Sequence, residues 1–313
     1  MKKSIVLLVV ILSLAFAAVA GAQDTFKIGY ACNNYNDLFQ TVIQGYAKAF
    51  AEANGIEFQS ADGRDDEILQ QDQIKAFIED GVDALVVVAV NPMGVEPIIK
   101  MAADAGIPLV FVNRNPFSAD DGSDIPDGVY YVGSNEIDAG IYQAKYVVEK
   151  LGPDAECGYV VLMGQLSNPA SKLRTDGNEE GFKDYPGYQL LDKQTGDWQR
   201  DKGLALTENW ITAYGDKLCA VISNNDDMAM GAIKALEDKN MKDKVLVLGV
   251  DLIDDAKVAI EEGRLDCSVK QDGKGQGEGA MGVALKVLKG EEVDKLTVVP
   301  FVPVSIENLE EHK

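Results

Sequence analysis

Short apolar runs and longer amphipathic stretches alternate along almost the whole chain. Runs at residues 26–31, 57–61, 84–90 and 109–113 read as strands, with 130–132 as a short fifth. Helical spacing covers 37–54, 67–79 and 93–105, closed by Gly55, Gly81 and Gly106, the residue type that ends helices in a left-handed turn. The alternation then restarts. It gives a helix at 137–151, a strand at 158–163, a helix to about 184, a strand at 188–193 and a helix at 199–214. Strands at 220–223, 245–250 and 267–270 follow with helices between them, then a helix to about 289 and a last strand at 298–302. Such regular alternation predicts an α/β protein whose parallel sheets are covered on both faces. The strands are too many for one compact sheet, so two doubly wound parallel-sheet lobes of similar build are expected. No low-complexity linker separates them, and the junctions should be short crossings.

The first residues depart from this rhythm. Lys2 and Lys3 precede a nearly continuous apolar run from Ser4 to Ala20, and Ala20-Gly21-Ala22 has the small-x-small form of a cleavage site. Residues 1–22 therefore read as a secretory signal peptide, and the absence of a cysteine just beyond them argues against a lipid anchor. Its removal takes two lysines and no acid, so the formal charge moves from −22 to −24. A field of that sign repels nucleic acid and anionic membrane surfaces and disfavours strongly anionic ligands.

Export permits disulfides. Cys32, Cys157, Cys219 and Cys267 match no zinc or C-x-x-C spacing, and each lies at or near an apolar strand. They are expected to be small core residues; Cys157 and Cys219 come together only if their strands are neighbours.

In doubly wound sheets ligands bind beyond the carboxyl ends of the strands. Here those ends are polar. Asn33, Asn34, Asn36, Asp37 and Phe39 follow the first strand, Asn91 the third, and Asn113, Arg114 and Asn115 the fourth. In the second half come Gln165, Ser167 and Asn168 with Arg174 beyond, then Asp197 and Trp198, Asn224 to Asp226, Asp251, and Gln271 and Asp272. Planar amides, carboxylates and guanidiniums can each bond two adjacent hydroxyls. Phe39 and Trp198, from opposite halves, can cover the C–H faces of a sugar ring. Any one of these residues is equally explained as a turn or a cap: Asn36 or Asp37 for the first helix, Asn225 or Asp226 for the helix at Met228. Their recurrence at most tips in both halves favours a shared pocket.

The missing chemistry is also informative. The one histidine, His312, is next to the C-terminus, so no Ser-His-Asp or Cys-His set can be built, and no phosphate loop or zinc motif is present. The run Gly273 to Gly279 has the wrong spacing for a dinucleotide fingerprint and reads as a flexible crossing between lobes. The acidic run at 118–128 lacks the closing glutamate of a calcium loop and reads as solvated. No metal, cofactor or catalytic residue is assigned.

With these residues in view, the chain resembles the periplasmic sugar-binding proteins of the ribose and galactose/glucose type, which serve ABC transporters. The resemblance spans the whole chain after the leader. It is carried most specifically by ISNNDDMAMGAIKAL (222–236), with LGVDLI (248–253), IPLVFVNRNP (107–116) and GDWQRDKG (196–203) in support. It implies a type I periplasmic binding protein fold with a three-segment hinge. The N-terminal lobe is then residues 24–134 plus 272–299, and the C-terminal lobe 135–271 plus 300–313. It also implies ligand contacts from Asp37, Phe39, Asn113, Arg114, Arg174, Trp198, Asn225, Asp251 and Gln271, with Asn34 and Asn168 as further candidates. Asn168 and Ala170 replace the His and Asp of the glucose/galactose type, and that type's calcium loop is missing near residues 153–157. The expected ligand is thus a neutral pentose, hexose or cyclitol held by closing lobes, with Arg114 and Arg174 paired to Asp37, Asp251 or the ligand. The expected partner is an ABC permease, and the protein is expected to be a periplasmic monomer. A receptor feeding a chemoreceptor or sensor kinase is the alternative, and an exported sugar-acting enzyme a more distant one. The effector domain of a lactose-repressor-type regulator shares the fold but needs a DNA-binding segment where the leader stands.

Overall fold

A computed structural model describes residues 25–119 and 121–313. The expected leader lies outside the described residues. The first half begins with β1 (Lys27–Cys32), α1 (Leu38–Ala53), β2 (Glu57–Asp62) and α2 (Glu67–Glu79). It continues with β3 (Ala84–Val87), α3 (Glu96–Ala105), β4 (Leu109–Val112) and β5 (Val129–Gly133). The second half begins with α4 (Glu136–Leu151), β6 (Cys157–Met163), α5 (Pro169–Phe182), β7 (Tyr188–Thr195) and α6 (Arg200–Tyr214). It continues with β8 (Leu218–Ser223), α7 (Asp226–Asp238), β9 (Leu246–Asp251), α8 (Asp254–Glu261) and β10 (Cys267–Lys270). The chain closes with α9 (Gly273–Leu288), β11 (Leu296–Val298) and β12 (Val302–Val304).

The strands form two six-stranded sheets, β11-β5-β4-β3-β1-β2 and β12-β10-β9-β8-β6-β7. The two orders are the same pattern repeated, and every pairing is parallel except β10 with β12. Strands buried on both faces explain the nearly unbroken apolar runs in the sequence. In the first sheet Ile28, Tyr30, Val86, Val110 and Val112 pack on one face, against α1 and α9. Ala31, Leu85, Val87, Leu109 and Phe111 pack on the other face, against α2 and α3. This is the period of two along a strand, and burying such side chains on both faces is the main favourable term for each lobe.

Three details differ from the sequence reading. The last strand is two strands, one in each sheet. After β11, the Val299 N–H donates to the Gly133 carbonyl (2.7 Å), and Pro300 separates the pieces. Pro303 is tolerated in β12 because that strand is an edge. The glycine-rich run is no flexible crossing but the first turns of α9, capped by Asp272, whose carboxylate accepts from the Gly275 N–H at 3.0 Å. Its glycines are there for packing: a Cβ on Gly277 would stand 2.5 Å from the Ile43 carbonyl of α1. Finally, Cys157 and Cys219 form a disulfide, with Cα atoms 5.5 Å apart, because β6 and β8 are adjacent. Cys32 and Cys267 are buried and free, as expected of core cysteines.

The chain passes between the sheets three times, at β5 to α4, β10 to α9 and β11 to β12. These passages bring the carboxyl ends of both sets of strands to one cleft.

Candidate functional site

The residues at those strand ends enclose about 360 Å³ of space, part of it continuous with solvent. Ten of the eleven residues singled out in the sequence line it: Asp37, Phe39, Asn113 and Arg114 from the first lobe, Asn168, Arg174, Trp198, Asn225 and Asp251 from the second, and Gln271 from a crossing. Asn34 stands apart. It lines a neighbouring cavity, its amide N–H donates to Asp65 (2.6 Å), and its oxygen accepts from the Asn36 N–H (2.8 Å). Its side chain completes a turn at the mouth of the cleft instead of facing the central cavity.

Turn chemistry and pocket chemistry prove to be the same thing here. Asp37 Oδ1 accepts from the N–H groups of Phe39 (3.0 Å) and Gln40 (3.4 Å) and caps α1. Asn168 caps α5 through the Ala170 N–H (3.1 Å), and Asn225 caps α7 through the Met228 N–H (3.1 Å). Helix starts thus point into the cleft, each with a polar residue holding its free N–H groups.

A hydrogen-bond relay crosses between the lobes. Gln40 Nε2 donates to Asn113 Oδ1 (2.8 Å), Asn113 Nδ2 donates to Gln271 Oε1 (3.1 Å), and Gln271 Nε2 donates to Asp251 Oδ1 (2.6 Å). Asn113 has φ of 67°, a left-handed conformation that asparagine tolerates better than most residues. This explains the abrupt polar end of β4: the turn needs that residue and aims its amide into the cavity.

Arg174 is paired with Asp251 as expected, but lies closer to Glu136, and Arg114 is not paired with Asp37. Arg174 Nε donates to Glu136 Oε2 (2.7 Å), its Nη1 donates to the Asn224 carbonyl (2.6 Å), and Asp251 is 4.0 Å away. Arg114, 2% exposed, has no carboxylate within ion-pair distance among the described residues; its Nη1 donates to the Val90 carbonyl (3.2 Å). Burial lowers its pKa, offset by Asp37 and Asp65, while burial raises the Asp37 carboxyl and Arg114 pulls it back. The cavity also includes Ala170, which the resemblance marked only as a replaced acid, and Gln40 and Glu136, which the sequence did not mark. Gln40 was hidden among helix residues, although an amide beside Phe39 and Ile43 on a buried face was a usable signal. Glu136 falls just before the helix read at 137–151 and belongs to no motif in the sequence, whereas in the structure it opens α4.

Trp198 follows Asp197 in a left-handed bend (φ 52° and 68°) that lays its indole on Gly164. Only glycine leaves room, because a Cβ there would overlap Cζ2 of the ring. The Arg174 guanidinium carbon is 5.7 Å from the ring centres of both Trp198 and Phe301, within range of cation–π attraction.

Behind the cavity Asp226 is fully buried, with its carboxylate accepting from Ser268 Oγ (2.7 Å) and the Ile253 N–H (3.0 Å). Burial pushes its carboxyl up to about 7, and burial likewise raises Asp251. An unfolded carboxyl ionises near ~3.9. Between those values the native state holds a proton the unfolded chain has released, so stability falls as pH rises and levels off above the folded pKa. The unfolding free energy is expected to drop by on the order of 2 kcal/mol from pH 5 to pH 8. Urea midpoints would show it, and Asp226→Asn should flatten the profile. A midpoint that rises with pH would contradict this account.

Four buried side-chain atoms around the cavity have no hydrogen-bond partner. Arg114 Nε and Trp198 Nε1 are donors; Gln40 Oε1 and Glu136 Oε1 are acceptors. No described helix is long and apolar enough to cross a membrane, and no cluster of His, Cys, Asp or Glu among the described residues is placed to hold a metal.

A family model described as a periplasmic binding protein domain matches residues 28–292. The chain is 39% identical over 301 residues to a putative rhizopine-binding protein of Rhizobium meliloti, across 95% of this chain and 96% of that one. It is 29% identical to a xylitol-binding protein of Mycolicibacterium smegmatis, across 90% and 78%. Among solved structures, an ABC transporter solute-binding protein of Bacillus halodurans with bound myo-inositol superposes with a TM-score of 0.84 at 33% identity, covering 93% of this chain and 98% of that one. Two lobes of one topology around a polar cleft, and a family match over most of the length, lead to one conclusion: the chain belongs to the periplasmic binding protein family.

Proposed function

We propose that the protein is an exported receptor that captures a neutral ring polyol, with a cyclitol such as myo-inositol as the leading candidate, and delivers it to an ABC permease. The observation that carries this reading is the mixture of unpartnered atoms around the cavity, two donors and two acceptors. A buried polar group without a partner is costly, and a hydroxyl is the ligand group that both donates and accepts. Similarity to a protein whose name specifies xylitol, an open-chain polyol, supports the polyol class, and similarity to one whose structure holds myo-inositol supports a ring.

In this reading Phe39 and Trp198 cover the faces of the ring. Asp37, Asn113, Arg114, Asn168, Arg174, Asn225, Asp251 and Gln271 bond its hydroxyls. The lobes, residues 24–134 with 272–299 and residues 135–271 with 300–313, close about the three crossings. Residues 1–22 are removed on export, and the mature monomer works in the periplasm without a lipid anchor. A chemoreceptor is a second partner compatible with the same closed form. No step of catalysis is required.

The test is a thermal-shift and calorimetric panel on the mature protein: myo-inositol, xylitol, ribose, galactose, amino acids and inorganic anions, with product analysis. A ligand at one hundred times its Kd stabilises the native state by about 2.7 kcal/mol. The expected result is a rise with myo-inositol or another polyol, recovered unchanged. A response confined to amino acids or anions would overturn the polyol assignment, and turnover would overturn the receptor reading.

A further inference from the structure

Glu136 is the first residue of α4, directly after the passage from β5 into the second lobe. It is 4% exposed and lines the cavity. One carboxylate oxygen, Oε2, holds Arg174 Nε at 2.7 Å; the other, Oε1, is buried with no partner. Neither obvious structural duty uses Oε1. It does not cap α4, whose first turn has no side-chain cap bond. Nor is it needed to serve Arg174, which also has the Asn224 carbonyl at 2.6 Å and Asp251 at 4.0 Å. A carboxylate oxygen is an acceptor only, so the group it awaits must donate.

The lining charges point the same way. Three acidic side chains (Asp37, Glu136, Asp251) line the cavity with two guanidiniums (Arg114, Arg174). The free oxygen of Glu136 repels an acidic group brought against it and favours one that offers hydrogen.

We propose that Glu136 is a specificity-determining residue whose Oε1 accepts a hydrogen bond from a ring hydroxyl of the bound polyol and excludes a carboxylate from that position. The inference rests on the polyol reading above and assigns one wall of the cavity, beside the crossing, to the recognition of a donor.

The test is calorimetry of wild type and Glu136→Gln with myo-inositol and its monodeoxy analogues. In the variant, the amide oxygen can still receive Arg174 Nε, which turns the amide N–H groups toward the ligand; the hydroxyl must then rotate to accept, and a charge-assisted bond to a carboxylate is replaced by a weaker neutral one. Wild type is expected to bind myo-inositol on the order of 10- to 100-fold more tightly than Glu136→Gln does. One deoxy analogue should lose affinity for wild type by a similar factor and lose little further on the variant, because the missing hydroxyl is the one Glu136 reads. A purely structural role would weaken all analogues by the same factor as the parent, and that result would overturn the proposal. Equal binding of myo-inositol to both proteins would overturn it while leaving the polyol reading intact. No binding to wild type would remove the cyclitol reading and this proposal together. If Glu136→Gln does not fold, Glu136→Asp, which keeps the charge near Arg174 but withdraws the acceptor, is expected to give the same pattern across the analogues.

Discussion

Arg174→Ala will abolish polyol binding and lower the unfolding free energy by about 3–5 kcal/mol. The side chain is 4% exposed and stands between Glu136 and Asp251, themselves 4% and 7% exposed. Removing the cation takes the charge partner from two buried acidic groups, and breaking a buried pair costs more than the pair contributes, because the survivor is left charged and poorly solvated. The Asn224 carbonyl loses its donor in the same change. Denaturant titration at neutral pH would read the loss. Part of it should return on acidification, as the stranded carboxyls take up protons. A loss under about 1 kcal/mol would mean that water reaches these groups and that the ion pair is of the weak, solvated kind.

The second large effect concerns Trp198. Trp198→Ala is expected to weaken polyol binding on the order of 100-fold, in the range of a central aromatic anchor. Its thermal midpoint without ligand should change little, because the ring is only partly buried. Gly164→Ala makes an independent version of the test. It keeps the indole but places a methyl group where Cζ2 now lies, so the ring must swing away. Both variants should lose affinity. If Gly164→Ala binds as wild type does, the position of the indole does not matter and the stacking role is wrong.

The architecture was readable because its cause is local. Strands with apolar side chains on both faces, set between amphipathic helices, have few other ways to bury themselves. Reading failed where distant contacts decided. The glycines from Gly273 to Gly279 look like a linker until α1 is placed against them, and a single strand at the end becomes two only once two sheets compete for it. Cys157 and Cys219 are 62 residues apart, and only the strand order makes them neighbours. The cavity was largely legible because its residues sit at strand tips, where an amide or guanidinium interrupts an apolar run. Gln40 and Glu136 sit inside helical turns, where polar residues attract no notice, and for that reason Asp251 was foreseen as a partner of Arg174 while the nearer one, Glu136, was missed.

The helix caps at Asp37, Asn168 and Asn225 limit how such a receptor can change its ligand over evolutionary time. Each of these residues both faces the ligand cavity and holds the start of a helix, so a substitution that alters taste for a solute also loosens a helix, by about 1 kcal/mol per lost cap. Ala170 faces the same space with a side chain that neither caps a helix nor belongs to the relay through Gln271. Drift toward new solutes is therefore less costly there, and the capping residues form the slowly varying frame within which it occurs.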